Sequence, residues 1–599
     1  MRVADYIFDY FTTKGINTVF MVSGGQAMFL VDAVGRNQKI ELICTHHEQT
    51  AGMSAEAYAR ITGKPSVALV TAGPGCVNVI NGVVGAWTDS APIIVVSGQS
   101  ALSYVEYQQN HPIRQFGIQG INIKPLVEKV TKYFVTVNDP AKILYYLGRA
   151  YHEATTGRPG PVWLDVPLDV QKMEVPERLL EEFVPERWTF DDQLLSDQVK
   201  NTFKLISQAK RPIILAGQGV RLAGSVAEFV KLSEALNIPV LTARLGIDLI
   251  NSDHRLYVGR PGNYGERAAN FAVQNADLIL VVGCRLASAL VGHNPGDFGR
   301  NAKKVYVEID QEELNKPGIS DLALKINDDA GRFLKEMAAQ RAAFRAPDFS
   351  EWVKKCQHWK EKYPVVQASY REERPVNSYY FTDKLSEAAT PEDLVLVDTG
   401  SCFHVACQTW RIKPGQRFLT TGGLSSMGYW VAAIGACLAN NKKRTICITG
   451  DGSLQMNIQE FATIKHNNLP IKVIIFNNNG YLLIRQTQKN LMEGHLVGEG
   501  PDTGVWCPDS LKIAAAYGIK GVRIDSVDGL EAKLAEVMDY DGPVICDVMT
   551  PEWQLIIPRT SSEKLPDGTL VAKAYEDMFP FLDRQEFLSE MIIKPEPGR

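Results

Sequence analysis

Two apolar runs, Thr445-Ile446-Cys447-Ile448-Thr449 and Val473-Ile474-Ile475-Phe476, end in residues that strand packing does not require. The first runs into Gly450-Asp451-Gly452-Ser453 and the second into Asn477-Asn478. Between them, Leu454 to Ile464 carries apolar residues at roughly helical spacing, which predicts a helix from Leu454 crossing between two parallel strands. Both polar termini then lie at the carboxyl edge of one open α/β sheet, where such sheets bind ligands. Asp451 and Asn478 are hard oxygen ligands suited to Mg²⁺, with a backbone carbonyl, assigned to Gly480, completing the protein's share. Gly450, Gly452 and Ser453 let backbone N–H groups approach a diphosphate where the helix starts. A Gly-Asp-Gly alone also fits an ordinary strand-to-helix turn; the paired asparagines favour the metal-diphosphate reading.

At 599 residues, and roughly 150 residues per domain, three or four domains are expected. Alternating apolar strands and helical periods predict three doubly wound parallel-sheet α/β domains, over 1–180, 190–345 and 377–552, followed by a tail over 553–599. Linkers are read at 174–197 and 345–376, where Glu, Pro and Asp accumulate. The first and third domains look like distant copies, each offering a strand, a Gly-rich turn and a helix. A 45% hydrophobic fraction supports large cores, and 22% charged residues with a net charge of −5 give no electrostatic case for nucleic acid. No apolar stretch long enough for a membrane span and no signal-peptide core are read. The ten cysteines are scattered without a CxxC pair, which predicts reduced thiols and a cytoplasmic enzyme; Cys402 and Cys407 read as packing residues.

The Gly-Asp-Gly-Ser to Asn-Asn pattern resembles the signature of thiamine diphosphate enzymes. The segments Thr45-His46-His47-Glu48-Gln49-Thr50-Ala51 and Thr71-Ala72-Gly73-Pro74-Gly75-Cys76-Val77-Asn78 resemble the pyrimidine-binding domain of the acetolactate-synthase-like branch. The resemblance implies that Glu48 touches the aminopyrimidine N1′ and favours the tautomer whose 4′ nitrogen takes the thiazolium proton. The competing reading of Glu48 is a surface glutamate at a helix start. Pro74 and Asn78 would face the pyrimidine, and the Gly24-Gly25 loop would face the substrate, although Gln26 replaces a small residue common there. Gln119 would lie over the thiazolium or only cap local backbone; His47 would orient a carboxylate or donate a proton, or make only a structural hydrogen bond. In Gly422-Gly423-Leu424-Ser425-Ser426-Met427-Gly428, Met427 resembles the apolar wedge between the cofactor rings, and the Ser425 carbonyl would meet the 4′ amino group where relatives often have glycine. Gly400 and Ser401 stand where relatives place Gln-His against the diphosphate. The family arrangement implies a homodimer or homotetramer with active sites at the subunit interface.

In the middle domain Gly217, Gly219, Arg221, Thr242, Gly259, Arg285 and Asp310 resemble FAD-binding positions of the same enzymes, and a structural FAD is expected beside thiamine diphosphate and Mg²⁺. Each of these motifs is weak alone, since Gly217-x-Gly219 lacks the third glycine of a dinucleotide fingerprint. Acetolactate synthases close the acceptor pocket with a tryptophan after the Asn-Asn motif, whereas this chain has Thr487. The tail, including Pro551 to Arg559 and Leu565 to Gly568, looks like relatives in nucleotide-sugar pathways and is expected over the active site. The resulting expectation is a carboligase that decarboxylates pyruvate and adds its two-carbon unit to a bulky ketone, such as a nucleotide-linked 4-keto-deoxysugar. The alternatives are acetolactate synthesis, with pyruvate as acceptor, and a thiamine-dependent C–C lyase or hydrolase.

Overall fold

The computed structural model describes residues 1–176, 180–186, 190–564 and 570–594. Three six-stranded, wholly parallel sheets follow one another along the chain. The first contains β1 (Thr18–Met21), β2 (Glu41–Cys44), β3 (Ser66–Val70), β4 (Ile93–Gln99), β5 (Tyr133–Thr136) and β6 (Val162–Pro167), in the order β2-β1-β3-β4-β6-β5. The second contains β7 (Pro212–Ala216), β8 (Val240–Thr242), β9 (Tyr257–Gly259), β10 (Leu278–Val282), β11 (Lys303–Val307) and β12 (Leu322–Ile326), ordered β12-β11-β10-β7-β8-β9. The third contains β13 (Leu394–Val397), β14 (Phe418–Thr420), β15 (Thr445–Gly450), β16 (Ile471–Asn477), β17 (Lys520–Ile524) and β18 (Val544–Met549), ordered β14-β13-β15-β16-β18-β17. Strand for strand, this repeats the winding of the first sheet, as expected of copies. Central strands such as β3, β10 and β13 are buried along their whole length, because crossover helices cover both faces of a parallel sheet.

The crossover after β15 differs from the predicted helix. A helical turn already begins at Asp451, a 3₁₀ segment spans Gln455–Glu460, and an α-helix follows over Phe461–His466. Asn457 breaks the run with φ −141° and ψ 36°, and its amide donates both to the Gln49 side chain and to the Gly428 carbonyl. A contact between domains thus overrides the helical period.

Both predicted linkers are shorter than read. The helix Asp192–Gln208 already belongs to the second domain, and the helix Ser350–Lys362 buries Trp352, Cys356 and Trp359 against it. Residues 177–179 and 187–189 of the first linker lie outside the described residues.

The tail also departs from expectation. Its start touches the third domain, where the Glu552 carbonyl accepts from Arg485 at 2.7 Å, but the chain then crosses to the central domain. There Asn270 donates to the Tyr575 carbonyl at 3.0 Å, Arg300 pairs with Glu576 at 2.8 Å, and Phe587 joins the core beneath the Ser350–Lys362 helix. Buried Tyr575, Met578 and Phe587 give it a hydrophobic reason to dock there rather than over the Asp451 edge. Leu565–Gly568 and residues 595–599 lie outside the described residues.

The first and third domains meet where the helices Glu48–Thr62 and Ala432–Ala439 cross. A Cβ on Gly435 would stand 1.9 Å from the Ser54 carbonyl oxygen, so only glycine permits this approach. Behind it lies a fully buried polar cluster in which Arg60 pairs with Glu56 at 2.8 Å and Tyr429 hydrogen-bonds Glu56. Gly435→Ala should therefore lower the melting temperature by several degrees while leaving far-ultraviolet circular dichroism unchanged; an unshifted transition would contradict the close packing.

Candidate active site

β15 ends at Gly450 and β16 at Asn477, side by side in parallel register, so Asp451 and Asn478 emerge together at the carboxyl edge. Both side chains are buried. Asp451 Oδ2 accepts the Gly480 N–H at 2.8 Å, but Asp451 Oδ1 and Asn478 Oδ1 have no partner. A buried acceptor without a donor costs about 1–3 kcal/mol, so two such oxygens at one strand edge fit a cation. Burial lifts the Asp451 carboxyl to about 6, an effect that a cation would oppose.

The glycines divide by role. Gly450 faces open space, whereas a Cβ on Gly452 would stand 2.2 Å from the Tyr481 ring. Gly480 has φ +132°, and a Cβ there would come within 2.1 Å of the Glu499 carbonyl oxygen. Gly400, at φ +95°, opens the helix Ser401–Thr409 after β13, beside β15, and a Cβ there would meet nothing within 4 Å. The Ser453 hydroxyl faces the protein instead, donating to Asp398 at 2.6 Å and accepting the Gly428 N–H at 2.8 Å, so only its backbone N–H is left for a ligand.

The Gly422–Met427 loop is held from both domains. Asp89 accepts the N–H groups of Gly422 and Gly423 at 2.8 and 2.7 Å, and Ser426 donates to Asn81 at 3.0 Å. On the other side, buried Asp398 accepts the Tyr429 N–H at 3.1 Å. Ser425 has φ +53°, a left-handed conformation costly for any residue with a side chain and natural only to glycine. Met427 is partly exposed at the loop's end.

Glu48 begins its helix buried, with Oε2 accepting from Asn78 at 2.9 Å. Pro74 opens the helix Pro74–Asp89, on which Asn78 and Asn81 occupy adjacent turns, so one helix carries the contacts of Glu48 and of the Met427 loop. His47 caps the Glu48 helix, its Nδ1 accepting the Gln49 N–H at 3.1 Å, which leaves only Nε2 for a ligand. Gln119 has φ +58° and an exposed side chain, and its carbonyl oxygen lies 2.4 Å from where a Cβ on Gly73 would be. Its loop therefore crosses the Gly-Pro-Gly turn. Gly25, on the loop after β1, is exposed with open space around it.

A cavity of about 320 Å³ lies between all three domains, lined by Gly217, Gly219 and Arg285 together with Arg158, Arg244, Glu308, Asp89 and Gly422. Gly219 packs on Gly283, 2.6 Å from its Cα to an added Cβ, which makes the narrow turn. The other expected FAD positions do not line this cavity. Arg221 pairs with Asp248 at 2.9 Å and faces a separate cleft beside Arg417. Thr242 is wholly buried, Gly259 backs onto Glu266, and Asp310 caps a helix while pairing with Arg158 at 2.8 Å. Arg158, Asp89 and Asp398 escaped the sequence reading, since a single Arg or Asp beside glycines carries no pattern of its own. Thr487 is exposed, its hydroxyl donating to the Leu483 carbonyl.

The strand edges, the orphaned oxygens and the glycine turns together form a buried polar site at the carboxyl edge of the third sheet, of the kind at which open α/β sheets bind ligands. Family models match three segments: the N-terminal TPP binding domain of thiamine pyrophosphate enzymes over residues 1–120, their central domain over 199–337, and their C-terminal TPP binding domain over 398–548. The acetolactate synthase large subunit of Lactococcus lactis is 32% identical over 91% of this chain and 92% of its own length. Acetolactate synthase isozyme 2 large subunit of Escherichia coli is 29% identical over 94% and 99%, and the chloroplastic acetolactate synthase of Arabidopsis thaliana 30% over 93% and 83%. The chain belongs to the thiamine pyrophosphate enzymes. Among the described residues no helix is long and apolar enough to cross a membrane.

The Gln119 loop rests on a buried acid. Gln99 donates to the Ile121 carbonyl at 3.1 Å and to Asp165, which also accepts from Ser97 at 2.6 Å. Burial raises the Asp165 pKa to about 7 from 3.8. The folded state then holds a proton that the unfolded state releases, so this contribution is full below pH 4 and is lost as pH rises through 7. The melting-temperature advantage of wild type over Asp165→Asn should shrink between pH 4 and 7 and stay flat above; a pH-independent difference would contradict it. Asp451→Asn should weaken Mg²⁺-dependent thiamine diphosphate binding at least about tenfold by calorimetry, with the fold intact.

Proposed function

We propose that the protein is a Mg²⁺- and thiamine diphosphate-dependent carboligase that decarboxylates pyruvate and joins the two-carbon unit to a second pyruvate, giving acetolactate. The observation carrying this reading is the pair of buried, unpaired oxygens of Asp451 and Asn478 at one strand edge, in a chain whose relatives are named acetolactate synthase. Bound thiamine diphosphate supplies the nucleophilic carbon and the electron sink for loss of CO₂.

In this reading Asp451, Asn478 and the Gly480 carbonyl hold the metal, while backbone N–H groups at Gly450, Gly452, Gly400 and Ser401 hold the diphosphate. Glu48 has Oε2 occupied by Asn78, so Oε1 is left to hold a proton toward the aminopyrimidine. The Ser425 carbonyl would accept from the 4′ amino group, Met427 would pack against the cofactor, and Pro74 and Asn78 would flank the pyrimidine. Gly25, Gln119 and Nε2 of His47 face the substrate side.

The central cavity is proposed to take FAD as a structural cofactor. Arg158, Arg244 and Arg285 offer charge for its diphosphate, and the Gly217–Gly219 turn offers close backbone approach. A homodimer or homotetramer with active sites at the subunit interface is supported by exposed Phe116, Ile118 and Trp506, which stand ready to be covered. Ten unpaired cysteines support a reducing, cytoplasmic location.

One observation favours a second reading. Thr487 leaves the acceptor side without the indole of acetolactate synthases, which fits a bulkier ketone such as a nucleotide-linked 4-keto-deoxysugar. The purified enzyme with pyruvate and all three cofactors should form acetolactate, read by mass spectrometry. Preferential addition of the two-carbon unit to a supplied keto-deoxysugar nucleotide would replace that reading with the second. Glu48→Gln should cut CO₂ release about a hundredfold or more with thiamine diphosphate affinity largely kept, and undiminished turnover would refute the assignment.

A further inference from the structure

The carboxylate of Asp89 stands in the wall between two sites. It lines the central cavity alongside Thr88, Ser90 and Gly422, and both of its oxygens accept backbone N–H groups from the Met427 loop. It is 2% exposed, and Arg60 lies 3.6 Å from it. No slack separates helix end from loop: a Cβ on Gly423 would stand 2.5 Å from the Thr88 Cβ.

The loop beyond needs such support. Ser425 holds a left-handed backbone that persists only where surrounding contacts over-determine it. Four anchors do so: Asp89, Asn81, Ser453 and Asp398. Of these, Asp89 alone also lines the cavity. Through Arg60 it further joins the buried Glu56 and Tyr429 pair, and Tyr429 lies two residues after Met427.

We propose that Asp89 is a positioning residue that couples occupancy of the central cavity to the conformation of the Gly422–Met427 loop, so that a nucleotide-type ligand in the cavity strengthens thiamine diphosphate binding. A ligand filling the cavity packs against the Thr88–Ser90 end of the helix and narrows its motion. Two hydrogen bonds carry that order to the loop, and linkage requires the effect to be reciprocal. The proposal rests on the FAD reading of the cavity given above.

The test measures the affinity of the wild-type protein for thiamine diphosphate with Mg²⁺, with and without saturating FAD, and the affinity for FAD with and without thiamine diphosphate. Each ligand should tighten the other by the same factor, about fivefold or more. In Asp89→Asn, where an amide N–H₂ meets a backbone N–H, the factor should fall toward one while both ligands still bind. A residue that only supports the fold would weaken both ligands and leave the factor unchanged, and that result would overturn the proposal. Independent binding of FAD and thiamine diphosphate to wild type would overturn the coupling alone, and needs no variant. Failure of wild type to bind FAD would overturn the cavity assignment and the coupling with it.

Discussion

The contact between Ser54 and Gly435 is the constraint on which the arrangement of the chain depends. Two helices from different domains approach so closely that a backbone carbonyl takes the space a side chain would need. This seam brings the helix Pro74–Asp89 alongside the Gly422–Met427 loop, which Asp89 and Asn81 hold by hydrogen bonds. Without it each domain would still form its sheet, but the loop would lose its anchors in the first domain.

Buried polar groups then specify the geometry that apolar packing leaves loose. Glu56, Arg60, Asp89 and Tyr429 form one cluster and Asp398, Thr449 and Ser453 another, and both end on backbone N–H groups of the loop or its flank. Such groups are costly to bury singly and become specific when mutually satisfied. The exceptions are informative, because Asp451 and Asn478 each keep an unsatisfied oxygen where the family expects a metal.

The same winding in the first and third sheets explains how one chain offers two unlike halves of a site. The turn after β3 became Gly73-Pro74-Gly75, with proline opening the helix, while the corresponding turn after β15 became Gly450-Asp451-Gly452, with a carboxylate. The central sheet, differently ordered, contributes a cavity whose walls borrow Arg158 and Asp89 from the first domain and Gly422 from the third.

By itself the sequence determined the three parallel sheets, the strand ends bearing Asp451 and Asn478, the helix starts at Glu48 and Pro74, and the membership of a cofactor family. These features are local: strand periodicity, turn glycines and helix-opening residues act within a few positions, so they can be read in order. Only the tertiary structure decided that Arg221 turns to Asp248 instead of the cavity, that Ser453 serves Asp398, that the tail docks on the central domain, and that Asn457 breaks a helix. Each depends on a partner far away in sequence, and burial strengthens such pairings while removing water as a competitor. A lone Asp such as Asp89 or Asp398 carries no local pattern; its role exists only once folding has brought distant backbone N–H groups within reach of its oxygens.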